Sequence, residues 1–232
     1  MTPNKVDYFS DVLCVWAYVG QSRLNRLATD FGDQIDIRVQ FCSVFPNSWQ
    51  KIDTQWKTRD GFEGYAAHVQ QVAGKFKGIT IHSDAWRVTR PRSSASPHLF
   101  IKAVELVEQD LSAGGGPVPF LSRLSVRAAQ ELRSAFFERG QDVSAWAAHR
   151  EIAGSIGVDF DQAVAKIESG EAIAELASDY DRAQSLKIEG SPTYVLNDGR
   201  QKLFGNVSYG VIEANMNELL TGAGGDVASL CS

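Results

Sequence analysis

Cysteine is scarce in this chain. Cys14, Cys42 and Cys231 are the three among 232 residues, too few and too widely spaced for a disulfide framework, and their number suits a reducing compartment. Long apolar runs are missing as well: no window approaches the roughly eighteen apolar residues of a membrane span. The opening MTPNKVDYFSDVL has no run long enough for a secretory signal before the first apolar segment. The expectation is a cytoplasmic protein with no membrane partner. Basic clusters are absent too. Against 28 acidic residues stand 23 basic ones, a net charge of -5 with no Lys/Arg run, which argues against nucleic acid as a partner. His68, His82, His98 and His149 stand at no metal-ligand spacing from one another or from a carboxylate. Each reads as an ordinary surface or helix residue, and no metal site is expected. Gly114 to Gly116 has neither the preceding strand nor the Gly-Lys-Ser/Thr ending of a phosphate loop and reads as a linker.

What is present is a composition, 44% hydrophobic over 232 residues, that can bury a full core as one large domain or one domain with an insertion. The informative stretch is Lys5 to Gly20, KVDYFSDVLCVWAYVG. Val6, Tyr8 and Phe9 suggest a short buried strand, the pattern breaks at Ser10-Asp11, and Cys14 falls where a helical pattern begins. A thiol at a helix N-terminus meets unpaired N–H groups and the positive end of the helix dipole, which favours a low pKa and a usable thiolate. A small buried apolar residue fits the same position equally well. Val15, Trp16, Val19, Leu24, Leu27 and Phe31 recur at helical spacing, with Gly32 as C-cap. Ile35, Ile37, Val39 and Phe41 then alternate with Asp36, Arg38 and Gln40 as a strand. Strand, helix and strand make a right-handed βαβ unit with parallel strands, which brings Cys42 to the sheet edge that carries Cys14.

Ser43 to Lys57, with Pro46, Trp49 and Trp56, reads as a loop whose Trp residues line a pocket or plug a small core. Helices are expected over Gly61 to Phe76, Ser94 to Leu111, Phe120 to Glu138, Val143 to Ile156, Phe160 to Ile167 and Glu171 to Leu186, with an extended piece over Ile79 to Val88. Asp142 and Asp159 are placed as N-caps. Glu168, Glu171, Glu175, Asp179 and Asp181 read as solvated helix faces, and Cys231 as an inert residue of a Gly-rich tail. Pro192 cannot donate to a sheet ladder, so it stands at the start of the strand Thr193 to Leu196. The turn Asn197-Asp198-Gly199, a strand at Lys202 to Phe204 and a helix from Tyr209 to Leu220 complete a ββα half. The order is that of an α/β thioredoxin fold, βαβ…ββα, with a large helical insertion: residues 1–59 and 186–232 as the thioredoxin-like domain, 60–185 as the insertion domain.

The stretch around Cys14 resembles the active-site segment of the DsbA-like thiol oxidoreductases, most closely a cytosolic branch carrying Ser-Asp-x-x-Cys-Pro-Trp-Cys-Tyr-x-Gly. Ser10, Asp11, Cys14, Trp16, Tyr18 and Gly20 match that pattern. Val15 stands where the family has Pro, and Ala17 where it has the second, resolving Cys. The same superfamily includes kappa-class glutathione transferases and 2-hydroxychromene-2-carboxylate isomerases, in which Ser commonly takes the first position. The resemblance implies that Ser191-Pro192 is cis and faces the nucleophile, with the Ser191 backbone exposed to pair with a peptide or with the cysteinyl part of glutathione. It implies Cys14 as nucleophile, with Trp16, Ser191, Pro192 and Asn206 binding substrate. No cofactor is required, and glutathione is admitted as a ligand. Where the glutathione-using branch has a Ser-Asp pair after the fourth strand, this chain has Gly205-Asn206-Val207, and Val207 cannot receive an ammonium. Three functions follow: a thiol-disulfide oxidoreductase working through one cysteine and mixed disulfides, a glutathione-dependent transferase or isomerase, and a redox-inactive peptide- or thiol-binding protein. The implied partners are a small-molecule thiol or a disulfide-containing peptide, with a homodimer allowed.

Overall fold

A computed structural model describes residues 3–221. The reading of Cys231 therefore lies outside the described residues. The elements run β1 (Asn4–Ser10), α1 (Val15–Phe31), β2 (Ile35–Phe41), α2 (Ser48–Gln55), α3 (Gly61–Ala73), α4 (Ala95–Leu111), α5 (Leu124–Phe137), α6 (Trp146–Ile156), α7 (Phe160–Glu168), α8 (Glu171–Ser185), β3 (Thr193–Leu196), β4 (Gln201–Phe204) and α9 (Tyr209–Thr221). The sheet order is β2-β1-β3-β4. β1 pairs parallel with β2, Ser10 opposite Phe41, while β3 runs antiparallel to both β1 and β4. This is a thioredoxin fold with helices α2 to α8 between its second and third strands.

Period-2 alternation decides what each face of the sheet meets. Val6, Tyr8, Ile35, Ile37, Tyr194 and Leu196 point to one side, where Leu24, Leu27 and Phe31 of α1 and Ile212 and Met216 of α9 cover them. Each such large side chain contributes about 1.5–3 kcal/mol on full burial. Asp7, Phe9 and Val195 point to the other side, toward α8, where Phe9 and Val195 pack with Ala183 and Asp7 pairs with Arg182. A separate, larger core joins α2 to α8 and takes in Val12, Leu13 and Cys14 from the turn between β1 and α1.

Gly32 ends α1 as expected: its φ of 48° lies in the left-handed region, which suits a residue without Cβ. Three expectations are corrected. The stretch over Ser43 to Lys57 contains α2, because the Asn47 side chain accepts from Gln50 N at 3.1 Å and caps a helix that Pro46 precedes rather than breaks. Ile79 to Val88 is not extended; it closes as turns, with Ala85 N on His82 O and both Arg87 N and Val88 N on Asp84 O. The His82 and Asp84 carbonyls, taking backbone N–H groups three to five residues ahead, fold the chain back there. Asp142 does not cap α6. Its carboxylate holds Ser144 N at 2.9 Å and Ser144 Oγ at 2.6 Å, a local turn, and the helix starts after Ala145. Asp159 does cap α7, accepting from Asp161 N.

Candidate functional site

Cys14 is the N-cap residue of α1, with extended backbone and 6% exposure. Its Sγ donates to Ser191 O at 3.2 Å. The Ser191–Pro192 peptide bond is cis, and Ser191 Oγ accepts from Asp11 N at 2.9 Å. Two segments 177 residues apart are thereby joined at the thiol. Ser191 is buried, not exposed, since both its hydroxyl and its carbonyl are taken by the Asp11 to Cys14 turn.

The expected low pKa of Cys14 is corrected as well. Burial pushes the thiol up, and the charge of Asp11 adds to that, while Ser191 and the backbone N–H groups of Ala17 and Trp16 oppose it with less effect. The helix N-terminus is present, but the sulfur has been taken out of water.

Behind the thiol lies a closed polar network. Asp11 is fully buried and accepts from Leu13 N (2.9 Å), Val44 N (3.0 Å), Phe45 N (3.1 Å) and Ser94 Oγ (2.6 Å). His98, buried against the same turn, accepts from Val12 N at 3.1 Å through Nε2 and meets Tyr180 Oη at 3.2 Å through Nδ1. A ring nitrogen that accepts from an amide carries no proton, so Nδ1 holds the hydrogen and donates to Tyr180. Burial, reinforced by the Arg133 and Lys102 charges, depresses the His98 pKa well below its ordinary value and keeps it neutral. His98 is thus not an ordinary helix residue, and neither is His149, whose Nε2 meets Val143 O at 2.8 Å beneath a stacked Phe100 ring. Asp179 is not on a solvated face. It is buried, pairs with Lys102 Nζ at 3.0 Å and accepts from Phe41 N at the end of β2. Cys42 follows β2, with its N–H on Ser10 O at 3.1 Å. It is a free, buried thiol that burial pushes far up.

Beside Ser191, whose carbonyl holds the Cys14 thiol, is an open cleft of about 560 Å³, lined by Trp16, Arg23, Phe76, Ser191, Phe204, Gly205, Asn206 and Ser208. Trp16 stands edge-on to Phe76 at 6.4 Å. Asn206 lines the cleft and accepts from Arg23 through Oδ1. Pro192 lies behind the wall, its carbonyl taken by Gly205 N. The structure thus brings Cys14, Ser191 and Pro192 together and sets Trp16 and Asn206 around the adjoining cleft. The sequence reading passed over Ser94, His98, Tyr180 and Arg23. Arg23 had a readable signal: residues 16, 20 and 23 fall at i, i+4 and i+7, one stripe of α1. His98 and Ser94 had none, because their partner is a turn more than eighty residues away.

The family model for the DSBA-like thioredoxin domain matches residues 122–217, a span that leaves out Cys14. No curated protein matches the chain in sequence. Among solved structures, the cytosolic disulfide reductase DsbM from Pseudomonas aeruginosa aligns with TM-score 0.66 and 19% identity, covering 94% of this chain and 100% of that one. DsbM has also been solved with GSH. A 2-hydroxychromene-2-carboxylate isomerase aligns with TM-score 0.63 and 17% identity over 94% of this chain and 97% of its own. The thiol-disulfide exchange protein alpha-DsbA2 from Wolbachia pipientis aligns with TM-score 0.58 and 11% identity, covering 93% and 81%. At these identities the likeness carries the fold.

Proposed function

We propose that the chain is a monothiol thiol-disulfide oxidoreductase in which Cys14 is the nucleophile. The observation that carries this reading is the Cys14 sulfur at the start of α1, bonded to Ser191 O beside an open cleft. The Cys14 thiolate attacks a substrate disulfide, forming a Cys14–sulfur bond and releasing one substrate thiolate. In an enzyme with two cysteines the second would attack next, but Ala17 is buried alanine at that place. An outside thiol such as glutathione therefore takes the bound half away as a new disulfide and returns Cys14 to thiolate. Trp16, Asn206 and Ser191 line the cleft that holds the substrate, a small-molecule thiol or a disulfide-bearing peptide, with cis Pro192 fixing Ser191 from behind. DsbM, solved with GSH, supports glutathione as the resolver.

The test is mass spectrometry after treatment with oxidised glutathione. The wild type should gain one glutathione, Cys14→Ser none, and Ala17→Cys should convert the adduct into an internal disulfide with the introduced thiol. A Cys14–Cys42 link in the wild type would instead make Cys42 the resolver.

The raised Cys14 pKa favours a second reading. A thiol that keeps its proton can donate a hydrogen bond to a bound glutathione thiolate, as a Ser would, in a transferase or isomerase. That reading requires glutathione to bind Cys14→Ser without covalent attachment.

A further inference from the structure

The cleft in front of Cys14 has three aromatic walls and one charge. Trp16 and Phe76 stand edge-on to each other in it, and Phe204, 53% exposed, lines the same cleft. An exposed Phe on an edge strand leaves an apolar surface that a ligand can cover. Among the lining residues only Arg23 is charged. Its guanidinium is held by Asn206 Oδ1 and by the face of Phe76, 5.6 Å away, and among the described residues no carboxylate pairs with it. Such a planar, fixed fork suits a carboxylate.

Just as informative is what the cleft offers a cation. Its lining contains no Asp or Glu. Ser191 O is taken by the Cys14 thiol and Asn206 Oδ1 by Arg23, while Val207 packs against the apolar core on the α1 and α9 side. An ammonium brought in here would meet neutral oxygens such as the Ser208 hydroxyl but no carboxylate, beside the positive charge of Arg23. Nine residues of helix put the Arg23 backbone roughly 13 Å from Cys14 along α1, and its side chain leans back toward the N-terminus. Arg23 and Ser191, the residue whose carbonyl holds the Cys14 thiol, line the same cleft.

We propose that this cleft favours small disulfides, and the thiols derived from them, whose sulfur is joined through an aromatic or other apolar body to a carboxylate and which carry no ammonium group, over ammonium-bearing ones such as glutathione, which react here more slowly. Arg23 is the specificity-determining residue, receiving the carboxylate while Cys14 meets the disulfide. The inference rests on the thiol-exchange reading above and narrows its substrate class.

The test compares two disulfide probes on the intact chain. Dithiobis(nitrobenzoate) carries carboxylates on aromatic rings, and dithiodipyridine is neutral. The rate at Cys14 for each, with Cys14→Ser as the blank, is divided by the rate of the same probe with a small free thiol. The expected result is a ratio favouring the carboxylate probe, which Arg23→Met lowers about tenfold or more, the size of a lost charge-assisted hydrogen-bond pair. An unchanged ratio overturns the assignment of Arg23. Oxidised glutathione reacting as fast as the nitrobenzoate probe, after the same correction, overturns the preference against ammonium. A second measurement needs no thiol chemistry: phenylpropionate should raise the Tm of Cys14→Ser, phenylpropylamine should not, and Arg23→Met in that background should remove the rise. Failure of the neutral probe to react at Cys14 sinks the exchange reading, while the Tm series still decides the carboxylate site.

Discussion

The two sides of Cys14 are built on opposite principles. Behind it, every backbone N–H of the turn has a partner: Asp11 alone takes four donors, and His98 and Ser191 take two more backbone amides. In front of it, aromatic rings and one cation line an open cleft in which Phe204 is largely uncovered. A fully satisfied network fixes where the sulfur sits; an incomplete one leaves contacts for a second molecule to make. The difference teaches that stability and recognition are separated across a single residue, and it can be broken or sharpened by substitutions placed on either side.

The largest effect belongs behind the thiol. Asp11→Ala removes a buried charged acceptor from four donors at once, so a loss of about 3–5 kcal/mol is expected. For a chain of this size that lowers Tm on the order of 10 °C. Calorimetry of the variant checks it, and a fall within the range of an ordinary surface substitution would show that the network does not hold the turn.

Lys102→Met comes next. It strands Asp179, whose carboxyl burial already pushes up to about 6 in the presence of Lys102. Breaking such a pair costs about 3 kcal/mol. The sign of its pH dependence follows from linkage. A carboxyl with its folded pKa above the unfolded value binds its proton first in the folded state, so its contribution to stability improves as pH falls from above 6 toward 4. Without Lys102 the pKa rises further, and protonation relieves the stranded charge. The urea midpoint of Lys102→Met should therefore trail wild type more at about pH 8 than at about pH 5. Adding Asp179→Leu should recover most of the loss; a double variant no better than the single one would place the cost elsewhere.

At the thiol itself the expected effect is kinetic. Because burial raises the Cys14 pKa, the thiolate fraction at neutral pH is below that of a free thiol with pKa about 8.5. Alkylation by iodoacetamide should climb about tenfold per pH unit through neutrality and keep climbing beyond pH 8.5, the free-thiol value. A plateau below pH 7 would mean that the helix N-terminus outweighs burial after all.

The same contrast explains what was legible in the sequence. β2, α1 and its Gly32 cap, the strand after Pro192 and the closing ββα order could be read because each rests on local periodicity or on one residue's backbone requirement. Cys14 was found through its neighbours within ten positions. The network behind it was not: Asp11 meets Ser94 across 83 residues, and Tyr180 meets His98 across 82. Only the packing of α4 and α8 against the sheet creates those pairs. The thiol's pKa was misjudged for the same reason, since the helix terminus is local and visible while the burial that outweighs it is tertiary. α2 was missed because two Trp and a Pro outweighed the Asn47 cap in the reading.

The smallest expected effect is the one that tests the front of the site. Phe204 closes β4 at the edge of the sheet, more than half exposed, with its ring against Gly190, where an added Cβ would come within 3.1 Å of it. Phe204→Ser removes little buried area, so stability should change by no more than about 0.5 kcal/mol. The ring's loss should instead be felt by ligands, because it lines the cleft together with Trp16 and Phe76. Thermal melts and the rate of Cys14 with an aromatic disulfide, taken on the same preparation, separate the two effects. An unmoved Tm with a slowed aromatic probe is the signature of a surface kept for another molecule. A Tm loss approaching that of Asp11→Ala would mean that Phe204 holds the fold, and the division between the two sides of Cys14 would not stand.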